Sequence, residues 1–305
     1  MSPYLGSRRS LRAASALALA VTTGLTALVA LPTTADAAAT AARLVIGEGG
    51  RTFDYTAAPG QTNKLSVTTS WTDGKIFTYV IDDVVPIDLH VNDDPRCTRP
   101  DSADLTKVSC TNSHEYGGSG LRMDLGDGND TITYNNTTGQ TGYQASIELG
   151  SGNDRATDIG SADGNYIQAG KGDDNVTVGS DAIVEAQDGN DTVHVGDRSI
   201  VTGQKGVDRL YADGVDSKAD GGTGNDFIYG SAGHQVLTGG IDKGNDTIRG
   251  GAGDDWISGD PGNDVLYGNS GNDTIYGNAG NDKVYGGPGR DTLSGGPGRN
   301  VVHQD

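Results

Sequence analysis

The sequence is poor in the large apolar side chains that an ordinary globular core needs. Aromatic residues make up 6% of the 305 residues, and the repeated C-terminal part has about one large apolar residue in nine, too few for burial alone to stabilise it. Proline numbers only 9 and the 49 glycines do not recur at every third position, which excludes a collagen triple helix. Low hydrophobicity with high net charge is typical of disorder. We therefore expect the chain to have a disordered state as well as a folded one.

The chain also lacks the patterns of common enzymes and of nucleic-acid-binding proteins. It has 22 basic and 41 acidic residues and a net charge of −19, so nucleic acid is not an expected partner. No GxSxG nucleophile motif occurs, and His114-Glu115 lacks the second histidine of a zinc-protease helix. We therefore predict no catalytic residues and a protein that is not an enzyme.

The N-terminus has the organisation of a cleaved export signal. Arg8, Arg9 and Arg12 precede an uncharged run from Ala13 to Leu31, and Ala35-Asp36-Ala37 follows it. This order predicts a signal peptide over residues 1–37, a secreted extracellular protein and no membrane span after cleavage. A retained anchor is the alternative, and the sequence leaves open whether the general secretory or the twin-arginine route is used.

Two cysteines, Cys97 and Cys110, lie in the next segment, residues 38–120. In the oxidising compartment that export implies, a disulfide between them is the default prediction. A zinc site completed by His90 and His114 is the alternative, although the spacing is wrong for it. The segment contains β-prone runs such as KLSVTTSW and KIFTYVI, which predict a small N-terminal β cap.

The C-terminal part repeats with a period of nine residues. Six copies run from Gly250 to His303: GGAGDDWIS, GDPGNDVLY, GNSGNDTIY, GNAGNDKVY, GGPGRDTLS and GGPGRNVVH. Position six is acidic in five copies and Asn300 in the last, and the acidic residues are Asp255, Asp264, Asp273, Asp282 and Asp291. Position eight is aliphatic: Ile257, Leu266, Ile275, Val284, Leu293 and Val302. A unit this short cannot bury its own apolar face, so the copies must stack.

More widely spaced copies of the same turn precede the regular ones. Their sixth positions are Asp130, Asp154, Asp174, Asp191, Asp208, Asp226 and Asp246. The intervals from Asp174 to Asp282 are 17, 17, 18, 20, 18 and 18 residues, close to two nonapeptides. If two nonapeptides form one coil of a flattened β-helix, Asp255, Asp273 and Asp291 lie on one edge, and the other edge contains Asp174, Asp191, Asp208, Asp226, Asp246, Asp264 and Asp282. One coil before Asp255, on the same edge, the sixth position of the turn is Gln235 instead of an acid.

Aspartates stacked in this way need a counter-charge. Coils of a parallel β-helix are about 4.8 Å apart, so neighbouring carboxylates would repel by roughly 3.5 kcal/mol at an effective dielectric constant of 20. A divalent cation between the turns would remove the repulsion and bind carboxylate and backbone oxygens. Calcium is favoured over magnesium because it accepts irregular sets of oxygen ligands, and zinc and copper are disfavoured because the repeat lacks thiolate and imidazole. A β-solenoid with Asn-Asp turns and no metal is the alternative.

The nonapeptide resembles GGxGxDxUx of the hemolysin-type calcium-binding proteins, the RTX repeats. The resemblance extends from Leu125 to Val302 and is strict from Gly221. It implies a right-handed parallel β-roll in which the sixth-position aspartates bind several calcium ions. From the resemblance the carboxylate ligands are Asp226, Asp246, Asp255, Asp264, Asp273, Asp282 and Asp291. The glycines of the calcium turns are Gly222, Gly224, Gly251, Gly253, Gly262, Gly271, Gly280 and Gly289. The pattern adds Asp130, Asp154, Asp174, Asp191 and Asp208 to the metal residues.

We thus predict an all-β protein with degenerate repeats in residues 121–220 and consensus repeats in residues 221–305. The predicted function is a non-catalytic structural or interaction module that folds outside the cell when calcium binds. A polysaccharide-acting lyase or epimerase built on the helix face is the alternative. Position-nine tyrosines, Tyr229, Tyr267, Tyr276 and Tyr285, suggest a cell-surface glycan or a protein as the partner.

Overall fold

The computed structural model describes residues 41–47, 50–73, 76–90, 94–113, 120–139, 145–160 and 164–304. The signal-peptide prediction for residues 1–37 and the interpretations of His114 lie outside these ranges. The described residues form strands and turns and no α-helix, and none of their segments is a helix that could cross a membrane.

Seven strands come before the repeats: β1 (Ala42–Ile46), β2 (Phe53–Thr56), β3 (Lys64–Thr72), β4 (Ile76–Asp82), β5 (Ile87–His90), β6 (Cys97–Thr98) and β7 (Lys107–Ser113). From Leu121 the strands alternate between two sheets. The even-numbered strands are β8 (Leu121–Asp124), β10 (Ala145–Ser151), β12 (Tyr166–Lys171), β14 (Ile183–Asp188), β16 (Ile200–Lys205), β18 (Lys218–Thr223), β20 (Val236–Thr238), β22 (Trp256–Ser258), β24 (Thr274–Tyr276) and β26 (Thr292–Ser294). The odd-numbered strands are β9 (Thr131–Asn136), β11 (Arg155–Asp158), β13 (Asn175–Thr177), β15 (Thr192–Val195), β17 (Arg209–Ala212), β19 (Phe227–Gly230), β21 (Thr247–Ala252), β23 (Val265–Ser270), β25 (Lys283–Tyr285) and β27 (Val301–His303).

The alternation builds a parallel β-solenoid. Even-numbered strands from β8 to β26 pair in parallel in one sheet, which we call sheet A, and odd-numbered strands from β9 to β27 pair in parallel in sheet B. One even and one odd strand form each coil, so residues in register in adjacent C-terminal coils, such as Val265 and Lys283, are two nonapeptides apart. The predicted β-roll with two nonapeptides per coil is confirmed.

Position eight supplies the core because alternate strand residues point inward. Ile257 and Ile275 in sheet A, and Leu266 and Val284 in sheet B, are completely buried. The column reaches the surface in the last described coil, where Leu293 is half-buried and Val302 is 45% exposed. Each coil therefore covers the apolar side chains of the coil before it, as stacking requires.

The N-terminal segment continues both sheets and closes their first end. β2 pairs in parallel with β8, and β3 with β9, so these two strands form a first coil. Antiparallel pairing of β1 with β2 and of β4 with β3 and β7 then covers that coil. Cys97 and Cys110 face each other across β6 and β7 and form a disulfide. The disulfide prediction is confirmed, and the zinc alternative is wrong because both thiols are consumed.

Candidate metal-binding turns

The sixth-position side chains form two columns, one on each edge of the solenoid. Edge 1 contains the turns that lead from sheet A to sheet B within a coil, and edge 2 contains the turns that return to sheet A. The described aspartates of edge 1 are Asp130, Asp154, Asp174, Asp191, Asp208, Asp226, Asp246, Asp264 and Asp282. Those of edge 2 are Asp255, Asp273 and Asp291. The spacing predicted this division from Asp174 onward, and the structure adds Asp130 and Asp154 to edge 1.

One carboxylate oxygen of each column aspartate joins two coils. On edge 1 the backbone N–H of Asp226 donates to Oδ1 of Asp246 at 2.8 Å, and the N–H of Asp246 donates to Oδ1 of Asp264 at 2.8 Å. On edge 2 Asp255 donates in the same way to Asp273 at 2.8 Å. The chain of bonds on edge 1 begins at the N–H of Asn63 and ends at Oδ1 of Asn300. Asn300, which replaces the acid in the last copy, therefore closes the column through its amide oxygen.

In most of the column aspartates the other carboxylate oxygen has no hydrogen-bond partner among the described residues, although Oδ2 of Asp291 accepts one from Gln304. Oδ2 is buried and makes no hydrogen bond in ten aspartates: Asp130, Asp154, Asp174, Asp191, Asp208, Asp226, Asp255, Asp264, Asp273 and Asp282. All ten side chains are at most 3% exposed. A buried charged oxygen without a partner is costly, so its repetition in coil after coil makes these turns candidate binding sites.

A glycine carbonyl of the next coil faces the same space. A Cβ atom at Gly203, the first position of its nonapeptide, would collide with both Oδ2 of Asp208 and the carbonyl oxygen of Gly221. At Gly277 the corresponding distances are 2.5 Å to Oδ2 of Asp282 and 2.8 Å to the carbonyl oxygen of Gly295. The same two kinds of oxygen meet at Gly221, Gly239, Gly250 and Gly268. A carboxylate and a carbonyl oxygen thus border one small volume that only a glycine leaves open.

The N-terminal coils fill that volume with hydrocarbon. The first position beside Asp130, Asp154, Asp174 and Asp191 is Leu125, Leu149, Ala169 and Ala186, respectively, and all four side chains are completely buried. Their aspartates keep the Oδ1 bond, as from the N–H of Asp154 to Asp174 at 2.7 Å. The turn chemistry therefore changes at Gly203, although the aspartate column continues through it.

Burial raises the pKa of these carboxyls when no cation is bound. The pKa is raised to about 8 for Asp191 and Asp246, mainly by burial and further by the charges of neighbouring aspartates, while the bond from a backbone N–H opposes the shift. Burial likewise raises the pKa of Asp226 and Asp264 to about 7. At neutral pH the unliganded column therefore binds protons that an unfolded chain would release.

Edge 2 satisfies its N-terminal turns with neutral side chains. Ser217 Oγ donates to the carbonyl oxygen of Gly196 at 2.7 Å, and Ser199 Oγ donates to that of Gly179 at 3.0 Å. Gln235 Nε2 donates to the carbonyl oxygens of Gly214 and Ala232 at 3.1 and 3.0 Å. These hydroxyl and amide hydrogens bind the backbone oxygens directly, so this part of edge 2 needs no cation.

Sequence reasoning missed two features of the turns. The first is the position-one glycines, because it assigned the turn to the second and fourth positions, such as Gly222 and Gly224, both of which have positive φ. The second is a ladder of position-five asparagines: Oδ1 of Asn245 accepts the N–H of Asn263, and Oδ1 of Asn263 accepts that of Asn281. This ladder runs opposite to the aspartate bonds, and the recurrent Asn-Asp pair was its sequence signal.

The free oxygens of the turns belong to carboxylates and backbone carbonyls, the two ligand types that calcium accepts in proteins. Among the described residues no group of three or more His, Cys, Asp or Glu side chains could hold a metal ion. That finding agrees with a calcium turn in which carboxylate oxygens contribute only some of the ligands and backbone carbonyls the others.

The fold and its turns define the class: a parallel β-solenoid with acidic glycine-rich turns that leave oxygens free on one or both edges. The family model of the RTX calcium-binding nonapeptide repeat (4 copies) matches residues 218–243, 242–275 and 267–302. The C-terminal part of the chain thus consists of RTX repeats, a calcium-binding family, as the sequence predicted. No curated protein matches the chain.

Proposed function

We propose that this chain is a secreted, non-catalytic calcium-binding module whose C-terminal coils fold when calcium binds. The observation that carries the proposal is an unpartnered Oδ2 atom beside a glycine carbonyl of the next coil, which recurs at Asp208, Asp226, Asp255, Asp273 and Asp282. Calcium would supply a dication that satisfies both oxygens and cancels the repulsion between successive carboxylates.

The proposed ligands on edge 1 are the carboxylates of Asp208, Asp226, Asp246, Asp264 and Asp282. On edge 2 they are Asp255, Asp273 and Asp291. The backbone carbonyl oxygens of the first-position glycines in adjacent coils would complete the ligand set of each ion. For Asp130, Asp154, Asp174 and Asp191 ligation stays a prediction, because Leu or Ala fills the space beside each carboxylate.

Secretion fits the chemistry of both halves of the chain. The disulfide of Cys97 and Cys110 belongs to an oxidising compartment. Extracellular calcium modules typically bind at about 10⁻⁴ to 10⁻³ M, so the turns would stay empty at the low calcium of a cytoplasm and fill outside. The leader over residues 1–37 would provide the export. Nothing in the described residues favours the alternative of a polysaccharide-acting enzyme.

The test is circular dichroism of the purified chain during titrations with calcium and magnesium, with bound ions counted in parallel. We expect a cooperative gain of β signal with calcium, reversal by a chelator, several ions per chain and a much weaker response to magnesium. A spectrum that is the same with and without calcium, together with no bound ion, would refute the proposal.

A further inference from the structure

The outer face of sheet B differs in charge from the rest of this acidic protein. From β13 to β27 its strands contain no Asp or Glu, whereas Arg209, Arg249 and Lys283 are exposed on it. The outer face of sheet A, by contrast, carries Glu185 and Asp220. We call the outer surface of β13 to β27 the basic face. Sheet A also carries exposed lysines, Lys205 and Lys218 among them, so in a chain with a net charge of −19 the basic face is distinguished by strands that contain cations and no acid.

Aromatic rings hold two of the three cations. The guanidinium carbon of Arg249 lies 4.8 Å from the centre of the Tyr267 ring, and that of Arg209 lies 5.4 Å from the centre of the Phe227 ring. None of the described ion pairs involves Arg209, Arg249 or Lys283. Stacking on a ring fixes the position of a guanidinium group while leaving its N–H donors available to a ligand.

The tyrosines of this face stack on one another. The rings of Tyr211 and Tyr229 are 4.9 Å apart and 13° from parallel, and those of Tyr267 and Tyr285 are 5.0 Å apart and 11° from parallel. Tyr276, in the stripe expected from the sequence, lies in sheet A instead. Because the ring faces contact each other, the tyrosines offer edges and hydroxyls to a ligand, so recognition of a neutral sugar by stacking is disfavoured.

The cations are regularly spaced. Arg209 is in β17, Arg249 in β21 and Lys283 in β25, so each is separated from the next by two strand spacings, about 10 Å along the solenoid axis. Beside β23 and β25 a cavity of about 380 Å³ opens, lined by Tyr267, Asn269, Ser270, Tyr285, Gly287 and Pro288. Arg209 and Lys283 share one register column, and Arg249 lies two residues along the strand from it. The face therefore combines sparse positive charges, staggered along the solenoid axis, with an open hollow.

We propose that the basic face binds a linear anionic polysaccharide that lies along the solenoid axis and carries acidic groups on alternate sugar residues. Sparse cations fit sparse carboxylates. Duplex DNA, with one charge per roughly 1.7 Å of axis, would be repelled by the remaining negative surface. The inference depends on the proposed function, because the face exists only where the coils are folded.

The test is binding of hyaluronan, whose carboxylates lie on alternate sugars, to the purified chain in millimolar calcium, with uncharged dextran as the comparison. The variant Arg209→Ser, Arg249→Ser, Lys283→Ser should bind hyaluronan about tenfold more weakly or worse, a loss of at least roughly 1.4 kcal/mol. Its matched control is Arg198→Ser, Lys205→Ser, Lys218→Ser, which removes the same charge elsewhere and should change affinity less than about twofold.

Circular dichroism of both variants separates the two proposals. If calcium induces no β signal in the wild-type chain, the proposed function fails. If the wild-type chain and both variants fold with calcium, but the basic-face variant binds hyaluronan as tightly as the control variant does, polysaccharide binding by the basic face is refuted. Binding of duplex DNA or of phosphatidylglycerol vesicles in preference to hyaluronan would also overturn it.

Discussion

The coils before Gly203 and those after it use the same fold but close their turns differently. The earlier coils bury Leu125, Leu149, Ala169 or Ala186 at the first turn position of edge 1, and on edge 2 Ser199 binds a backbone carbonyl. The later coils have glycine at the first position of edge 1, whereas Oδ2 of the aspartates lacks a partner in both regions, as in Asp154 and Asp264. Calcium in the later coils would thus occupy the space that hydrocarbon fills in the earlier ones.

The exchange is energetically reasonable. Full burial of one leucine stabilises a fold by about 1.5 to 3 kcal/mol, and a coil that gives up such a side chain for glycine needs another source of cohesion. A cation shared by two coils provides it only when calcium is present. The comparison therefore teaches that the loss of core volume and the need for an ion are two aspects of the same substitution.

The largest expected effect is the removal of calcium. Hydrogen exchange of the purified chain in excess chelator should show loss of protection from β19 to β27, whereas β2 to β16 remain protected by their core and hydrogen bonds. Calcium should restore the C-terminal protection. Equal loss of protection in both regions would contradict the comparison.

A smaller effect should follow from single carboxyl-to-amide changes in the same column. Asp264→Asn removes a proposed ligand and should raise the calcium concentration at the folding midpoint by about tenfold or more, equal to roughly 1.4 kcal/mol. Asp154→Asn is the matched control, since its amide oxygen can still accept the N–H of Asp130, and it should shift the midpoint less than about twofold. Calcium titrations by circular dichroism measure both, and equal shifts would show that the N-terminal column also binds ions.

The first turn position can be exchanged between the two regions. Gly221→Ala places a Cβ atom against Oδ2 of Asp226 and the carbonyl oxygen of Gly239, so the calcium midpoint should rise several-fold. The reverse change, Ala186→Gly, should lower the free energy of unfolding by about 0.5 to 1 kcal/mol and leave the midpoint unchanged. Calcium titration measures the midpoints, and denaturant unfolding at fixed calcium measures the free energy. Unchanged calcium affinity in the Gly221→Ala variant would remove this glycine from the site.

The smallest effect concerns pH. The pKa of Asp191 is raised to about 8 in the calcium-free fold, above the unfolded value of roughly 3.9. The folded state therefore binds more protons, and its stability is greatest below about pH 4 and declines as the pH rises through 8. In chelator, the N-terminal coils should unfold at higher urea at pH 5 than at pH 8.

In limiting calcium, the C-terminal coils should show the opposite trend and unfold at lower urea at pH 5 than at pH 8, because protons compete with the ion for Asp246. A midpoint independent of pH in both regions would exclude these raised pKa values.

Much of the fold followed from local pattern. A period of nine with acid at position six and an aliphatic residue at position eight, as in Asp264 and Leu266, requires a turn followed by an inward-facing strand residue. Intervals near 18 residues then assign alternate turns to opposite edges. The aspartates, which form half of the candidate site, could be predicted in the same way. Their carbonyl partners could not, because the carbonyl beside Asp226 belongs to Gly239 in another coil.

The sequence by itself determined the coil, the inward column and the acidic edges, because each depends on residues within one or two nonapeptides. The tertiary structure decided which oxygen of each aspartate is satisfied, where hydrocarbon replaces the glycine cavity, and that Arg209, Arg249 and Lys283 share one face. Those properties arise between coils, from residues 17 to 20 positions apart. Stacking register, rather than local conformational preference, fixes which of them meet.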